Sequence, residues 1–574
     1  MRMTFPLMAG LVLGLAAPLT AAPRPDERTA GPALVGQARS WNDMVAMVRE
    51  GTKSLGGDKL LAEFEKEGLR SISPDNFPSI DPSKPFALYG LADADLKKCR
   101  LVIMIPVKNQ EEFLNRIGEL NIKTEKSPEE GTFIVATGAG MPFPVHLKFN
   151  EGYAYFSLGG ADALAPKTIL PPKEVINEKD KSPAFITLKV DRMPPELKKF
   201  LVANLNEFID QGKEAITTAE SKEMVNILQS LGIRWLRLFA DQGKEITFRL
   251  DADPKTASLK FDIALEAMPK TALAAAIARR PASTNAFAGL ITKDAVQWMM
   301  LSAPLFHEDI QEVLVKLVTL GEKAAVGEVA KIGSPEMIAL TEAGFKSLLA
   351  TLKTGEMDLG LVLRGPNKDG HYTAVGGIQM QETADLEKAA KTALKAAPEE
   401  IQKWIKMDAG KLGELNLHEI RVQDGPDGLQ NFFGKDQTVY IGVGKNAIYF
   451  AYGPDAKKAL AETAALKPAP SAAYDSSGNP KKTAQMMKKL LPPEAFGNDD
   501  EGPTGIMKTM LDSMEKNEKT AGMTLDLTGG EKLHLTLNYS LQFGFLGGPT
   551  SFFMMGGVRA GAMAKPVQAA PKAK

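Results

Sequence analysis

The hydrophobic pattern changes its period along the chain, and the changes lay out the elements. Trp41, Met44, Val45 and Val48 recur at helical spacing behind a Ser40/Asp43 capping box, and a second helical stretch follows at 59–68. Residues 86–91 and 101–107 are apolar runs of strand length. Asn109 and Glu112 then mark a helix start, with Phe113, Leu114, Ile117 and Leu120 on one face. Strands are predicted at 132–137, 145–149 and 153–158. In the middle one Val145, Leu147 and Phe149 alternate with His146 and Lys148, which gives one dry and one wet face.

A strand at 184–190 leads to Pro194 and Pro195, residues suited to a first helical turn. Leu197, Phe200, Leu201, Leu205, Phe208 and Ile209 stripe the helix that follows, and Met224, Ile227, Leu228 and Leu231 stripe another. A hairpin closes this half. Ile246, Phe248 and Leu250 alternate on the way out, Asp253 and Pro254 turn the chain, and Leu259, Phe261, Ile263 and Leu265 alternate on the way back.

The same order then recurs. Helices are predicted at 307–323 and 334–353, strands at 357–363 and 372–380, and a helix at 383–396. Strands at 438–443 and 447–452, a helix at 454–466, a helix holding Met486, Met487, Leu490 and Leu491, and a hairpin at 523–527 and 533–541 complete it. One stretch aligns without gaps: Val145, Tyr155, Phe156 and Gly159 match Val439, Tyr449, Phe450 and Gly453. The shared order predicts an internal duplication, with insertions at 424–435 and 466–480 in the second copy, the latter overlapping a low-complexity stretch at 467–480. The expected fold is α+β: two related modules, each an antiparallel sheet packed against helices. They occupy 41–268 and 269–545, with a linker at 22–40 and a flexible tail at 546–574.

Residues 1–21 fit a signal peptide. Arg2 is a positive start, Leu7 to Leu19 is apolar and uncharged, and Ala21 offers a small residue for cleavage. The apolar run is shorter than the roughly 20 residues of a spanning helix. The mature chain is therefore expected to be exported, to the periplasm, cell surface or medium, with no integral membrane span. Leu541–Val558 is apolar but glycine-rich, a poor helix former.

Charge narrows the partners. The 69 basic and 70 acidic residues leave a net charge of -1, which gives no general attraction to nucleic acid. Cys99 is the only cysteine, so no internal disulfide forms, and it reads as a buried apolar thiol.

Candidate chemistry is thin. His307–Glu308 and His418–Glu419 begin a helical zinc motif, but Gln311 and Val422 stand where the second histidine belongs. His146 and His534 fall on wet strand positions, and the five histidines, His371 included, read as exposed. No G-x-S-x-G elbow or phosphate loop is present, and Ser476–Ser477–Gly478 reads as a polar loop. Asp93 with Asp95, Glu111 with Glu112, and Asp499–Asp500–Glu501 are the visible acid clusters; Glu111 and Glu112 fit a helix start, and Asp499–Glu501 fits a solvated Gly/Pro loop without the alternating oxygens of a calcium loop. Trp298–Met299–Met300 and Phe552–Phe553–Met554–Met555 are soft apolar patches suited to core packing. No catalytic, metal or cofactor-binding residue is assigned.

The leader, the repeated order and the Tyr153-x-Tyr155-Phe156 and Ile448-Tyr449-Phe450 hairpins resemble a group of exported bacterial chains with a duplicated α+β module, a domain of unknown function. The resemblance extends over most of 41–541. It implies an extracytoplasmic location and brings no catalytic residues. The expected function is non-enzymatic binding or scaffolding of an unknown protein, glycan or lipid. The alternatives are a carrier of an apolar ligand between sheet and helices, and a hydrolase using two converging carboxylates.

Overall fold

The computed structural model describes residues 31–67, 78–119, 122–136, 144–158, 160–213, 219–280, 282–302, 308–331, 333–421, 427–435, 438–490, 508 and 511–540. The leader, Asp499–Glu501 and the Phe552–Met555 patch lie outside them. The chain divides into two compact units: 1–216 with 232–279 and 529–535, and 217–231 with 280–528 and 536–574. Helices and antiparallel strands make up both, so the α+β class holds.

In the first unit the strands are β1 (Leu34–Ala38), β2 (Phe86–Leu91), β3 (Arg100–Pro106), β4 (Lys123–Lys126), β5 (Thr132–Ala136), β6 (Val145–Asn150), β7 (Tyr153–Leu158), β8 (Ala184–Lys189), β9 (Gly243–Asp253) and β10 (Ser258–Ala267). They pair antiparallel in the order 4-5-6-7-3-2-1-8-9-10. Helix α1 (Trp41–Glu67) follows β1, α2 (Gln110–Glu119) follows β3, and α3 (Pro195–Lys213) and α4 (Ala219–Gln242) follow β8. Two predictions change here. The two stretches predicted at 41–48 and 59–68 fall, as far as Glu67, in one helix, and the linker read at 22–40 contains β1, an interior strand between β2 and β8. The alternation of Leu34 and Gly36 with Val35 and Gln37 is short and lies among Pro, Ala and Gly, so only its two partner strands reveal it.

The faces of this sheet are unequal. Directly opposed residues share a face, so the ladders trace rows across it. One row runs Ser157, Val102, Tyr89, Val35, Thr187, Thr247. Val102 and Tyr89 are fully buried there, under Ala163, Leu164 and Val175. On the other face one row runs Phe156, Ile103, Leu88, Gly36, Ile186, Phe248, Ile263, and the next Leu158, Leu101, Gly90, Leu34, Leu188, Ile246, Leu265. Both rows are apolar throughout, yet none of their side chains is fully buried. Phe248 is 44% exposed and Phe261, two residues from Ile263, is 43% exposed. Alternation correctly predicts an apolar face on the β9–β10 hairpin but not how much of it remains in contact with solvent.

The second unit holds β11 (Ala295–Ser302), β12 (Asp358–Arg364), β13 (Thr373–Gln379), β14 (Ile405–Leu412), β15 (Leu415–Arg421), β16 (Thr438–Val443), β17 (Ala447–Tyr452), β18 (Tyr474–Gly478) and β19 (Ala521–Thr528), and β20 (Leu533–Ser540) follows β19. The antiparallel order is 14-15-16-17-13-12-11-18-19. Helices α5 (Glu308–Ala330) and α6 (Pro335–Lys353) follow β11, and α7 (Thr383–Ala396) follows β13. Helices α8 (Asp427–Phe433), α9 (Ala456–Ala464) and α10 (Pro480–Leu490) follow β15, β17 and β18.

Phe287 is buried in the main core, its ring pressed onto the sheet where Gly360 and Gly377 have no Cβ. The two stretches expected as insertions both carry secondary structure. Residues 424–435 contain α8, whose Phe432 and Phe433 fill a second core with Tyr372 and Met486. Residues 466–480 contain β18, an interior strand, so Ser476–Ser477–Gly478 is a strand segment rather than a polar loop. Among the described residues no helix is long and apolar enough to cross a membrane.

Candidate functional site

Most of the residues weighed in the sequence are occupied locally. Asp93 and Asp95 shape a turn: Asp93 Oδ1 accepts from the Asp95 amide at 2.7 Å, and Asp95 Oδ1 from the Lys97 amide at 3.0 Å. Asn109 Oδ1 caps α2 by accepting from Glu111 and Glu112 amides at 2.8 and 3.2 Å, which leaves both acids in the first turn. Gln311 donates to the Leu352 carbonyl. Trp298 and Met300 join the core, as patch packing predicted. Cys99 is half-buried and its thiol is 3.6 Å from the Asp93 carbonyl; burial pushes its pKa up.

The histidines separate. His307 lies outside the described residues. His371 Nδ1 is 3.3 Å from the Asn431 carbonyl, and His534 Nδ1 is 3.1 Å from Asp262 Oδ2. His146 has a buried Nδ1 without a hydrogen-bond partner, and burial lowers its pKa. His418, expected to be exposed, is 3% exposed. It lies on β15, not on a helix, so the partial zinc motif around it has no helical face to act from.

His418 belongs to a cluster that sequence reasoning missed. Glu387 and Lys391 stand one turn apart on α7. Asp408 sits where β14 bulges between Lys406 and Gly410, with a left-handed φ of 52°. That conformation costs a non-glycine residue energy and needs support from its surroundings. The support is visible. The Asp408 amide donates to His418 Nδ1 at 3.0 Å, and its carboxylate meets Lys391 Nζ at 2.7 Å. Lys391 also reaches Glu387 Oε1 at 2.8 Å, and Asn416 Nδ2 donates to the same carboxylate at 3.2 Å. His418 Nε2 is 3.2 Å from Glu387 Oε1, close enough for ionic contact but not aligned as a hydrogen bond. Signals existed: a Glu–Lys pair at i, i+4, and the period-two run Leu415, Leu417 against Asn416, His418.

Electrostatics follow from the contacts. Burial opposes ionisation of Glu387, but Lys391 and Asn416 outweigh it and hold the carboxyl below its usual range. Lys391 lowers the pKa of Asp408, and Asp408 and Glu387 raise that of Lys391. Burial lowers that of His418.

Glu387, Asp408 and His418 place one donor atom each within 4.8 Å of one another, a spacing a metal ion could use. Their chemistry does not fit one. Nδ1 accepts an amide proton, so the neutral ring carries its own proton on Nε2, and the one lone pair of the ring is already engaged by the backbone. The Lys391 ammonium occupies the cation's place between the two carboxylates. The cluster is a structural network in which Lys391 bridges two carboxylates beside a histidine whose tautomer is set by the backbone.

No protein-family model matches this sequence, and no curated protein matches it. Among solved structures, crystal form IV of TP0453 is similar in part. The TM-score is 0.21 at 9% identity, over 47% of this chain and 86% of that one, a likeness too slight to argue from.

Proposed function

We propose that the chain is an exported, non-enzymatic binding protein made of two copies of one module, and that its ligand is an apolar molecule of lipid type held on the apolar sheet face of the first unit. Sheet order supports the copying: apart from the two-residue strands Thr284–Asn285 and Ala469–Pro470, which pair with each other, the second unit arranges its strands 14-15-16-17-13-12-11-18-19 as the first arranges 4-5-6-7-3-2-1-8-9. Registers agree as well. Tyr89 opposes Val102 as Val362 opposes Val375, and Leu147 opposes Phe156 as Ile441 opposes Phe450. The Val107 amide donates to Gly152 and the Met380 amide to Asn446, both at 2.9 Å. Export rests on the Arg2, Leu7–Leu19 and Ala21 leader pattern.

The ligand class rests on one observation: Phe248, within one of the two apolar rows that cross the first sheet, and Phe261 on the adjacent strand are nearly half exposed, while the other side chains of the rows are partly buried. An exposed apolar patch shared by adjacent strands marks a binding surface. Native mass spectrometry of the purified mature protein, with titration of a lipophilic fluorescent probe, tests this. A co-purifying lipid or saturable probe binding, weakened at least about tenfold by Phe248→Ser with Phe261→Ser, is expected. A co-purifying polypeptide would favour scaffolding. A protein that carries nothing and ignores the probe would end the apolar reading.

A further inference from the structure

Strand β14 pairs with β15 alone among the described strands, so it is an edge. Its bulge residue Asp408 holds a left-handed backbone, and the amide exposed by that conformation is received by a side chain, His418 Nδ1, rather than by a ladder carbonyl. The groups facing the imidazole are Glu387 and Lys391 from α7, Asp408 from β14, the uncharged Asn416 on its own strand, and Ile441 across the ladder on β16.

We propose that His418 is an acid-sensitive latch on β14. As the neutral ring it accepts the Asp408 amide and fixes the bulge. A second proton can enter only at Nδ1, the one lone pair, and an imidazolium has two N–H groups and no acceptor. The Asp408 amide then faces another N–H, and the backbone contact that supports the left-handed turn is gone, leaving only the Lys391 ion pair. Glu387 and Asp408 remain to attract the new positive charge, which keeps the ring in place while the strand beside it is released. Because burial depresses the pKa of His418, its stabilising contribution is full above the ordinary histidine range and is lost as pH falls through the depressed value.

The positions that carry the latch have apolar counterparts. On the duplicated reading, His418 corresponds to Phe133 and Glu387 to Leu114, and both of those pack in one core of the first unit. The second copy therefore places an ionisable pair where the first has apolar contact, at a cost in stability that plain packing does not carry. The latch itself depends only on the contacts within the second unit.

Hydrogen exchange read by mass spectrometry on the full chain, between about pH 7.5 and 5 and corrected for intrinsic rates, tests it. Peptides spanning 405–412 should lose protection by about tenfold, centred where His418 itself titrates, as read from exchange at its ring Cε1 in the same digests. His418→Phe should abolish the pH-dependent loss while leaving the rest of the unit protected. Protection of 405–412 that stays constant through the titration of His418 would overturn the latch, as would an equal loss in His418→Phe. Should that variant not fold, the wild-type midpoints decide alone: coincidence supports the latch, and a separation of more than about one pH unit overturns it.

Discussion

Replacing Phe287 by alanine should destabilise the second unit severely, and a methionine at position 377 should partly repair it. Phe287 is 2% exposed and its ring meets Tyr449 edge-on at 6.1 Å. Beneath it lie Gly360 and Gly377, where an added Cβ would come within 2.3 and 2.4 Å of Phe287 atoms. Truncation leaves a hole floored by two residues with no side chain to relax into it, so the loss belongs at the upper end of the about 3–5 kcal/mol seen for buried phenylalanines. On the duplicated reading Gly377 corresponds to Met104, which fills the equivalent space of the first unit with its own side chain.

Gly377→Met alone should be destabilising, since its Cβ collides with the Phe287 ring. In the Phe287→Ala background the same change should recover about 1–2 kcal/mol, a reversal of sign that only shared space produces. Urea unfolding followed by fluorescence of Trp298, which lies in the same core, measures the cycle. A loss below about 1 kcal/mol for Phe287→Ala would refute the packing argument. A methionine equally harmful in both backgrounds would refute the correspondence with Met104.

Two further outcomes are expected. Asp475 accepts from Trp298 Nε1 at 2.8 Å and from Ser477, and burial raises its pKa, so its contribution is full at low pH and is lost as pH rises through the raised value. Asp475→Asn keeps an acceptor for Trp298, and Ser477 can turn to accept from the new amide. Its urea midpoint should rise relative to wild type at pH 7.5 and the difference should vanish near pH 3; a lower midpoint at both values would contradict the assignment. Cys99, half-buried with its pKa raised, should react with a disulfide reagent at least about tenfold more slowly in the native protein than in urea at pH 7. Equal rates would place the thiol in open solvent.

Long elements with strong periodicity were legible from local pattern. The helix 383–396 and the strands 438–443 and 447–452 appear with the boundaries that pattern predicts. The misses share one cause. β1, β4, β11, β14, β15 and β18 are short, polar or methionine-rich, and they become strands because neighbours on one or both sides supply hydrogen bonds. Tyr474–Gly478 resembles a loop by composition and is an interior strand by pairing.

By itself, then, the sequence determined the long, strongly periodic helices and strands and which side of each is apolar, because side-chain periodicity is a local property of the backbone. Tertiary structure alone decided which apolar face was covered and which polar groups met. Phe248 and Val102 are alike in pattern, but one remains nearly half exposed and the other is sealed by Ala163, Leu164 and Val175, far downstream in the chain. His418 looks like a surface histidine until α7 brings Glu387 and Lys391 over it and the bulge at Asp408 aims an amide at its ring. Burial and proton placement depend on residues distant in the chain, and a single strand carries no record of what will pack against it.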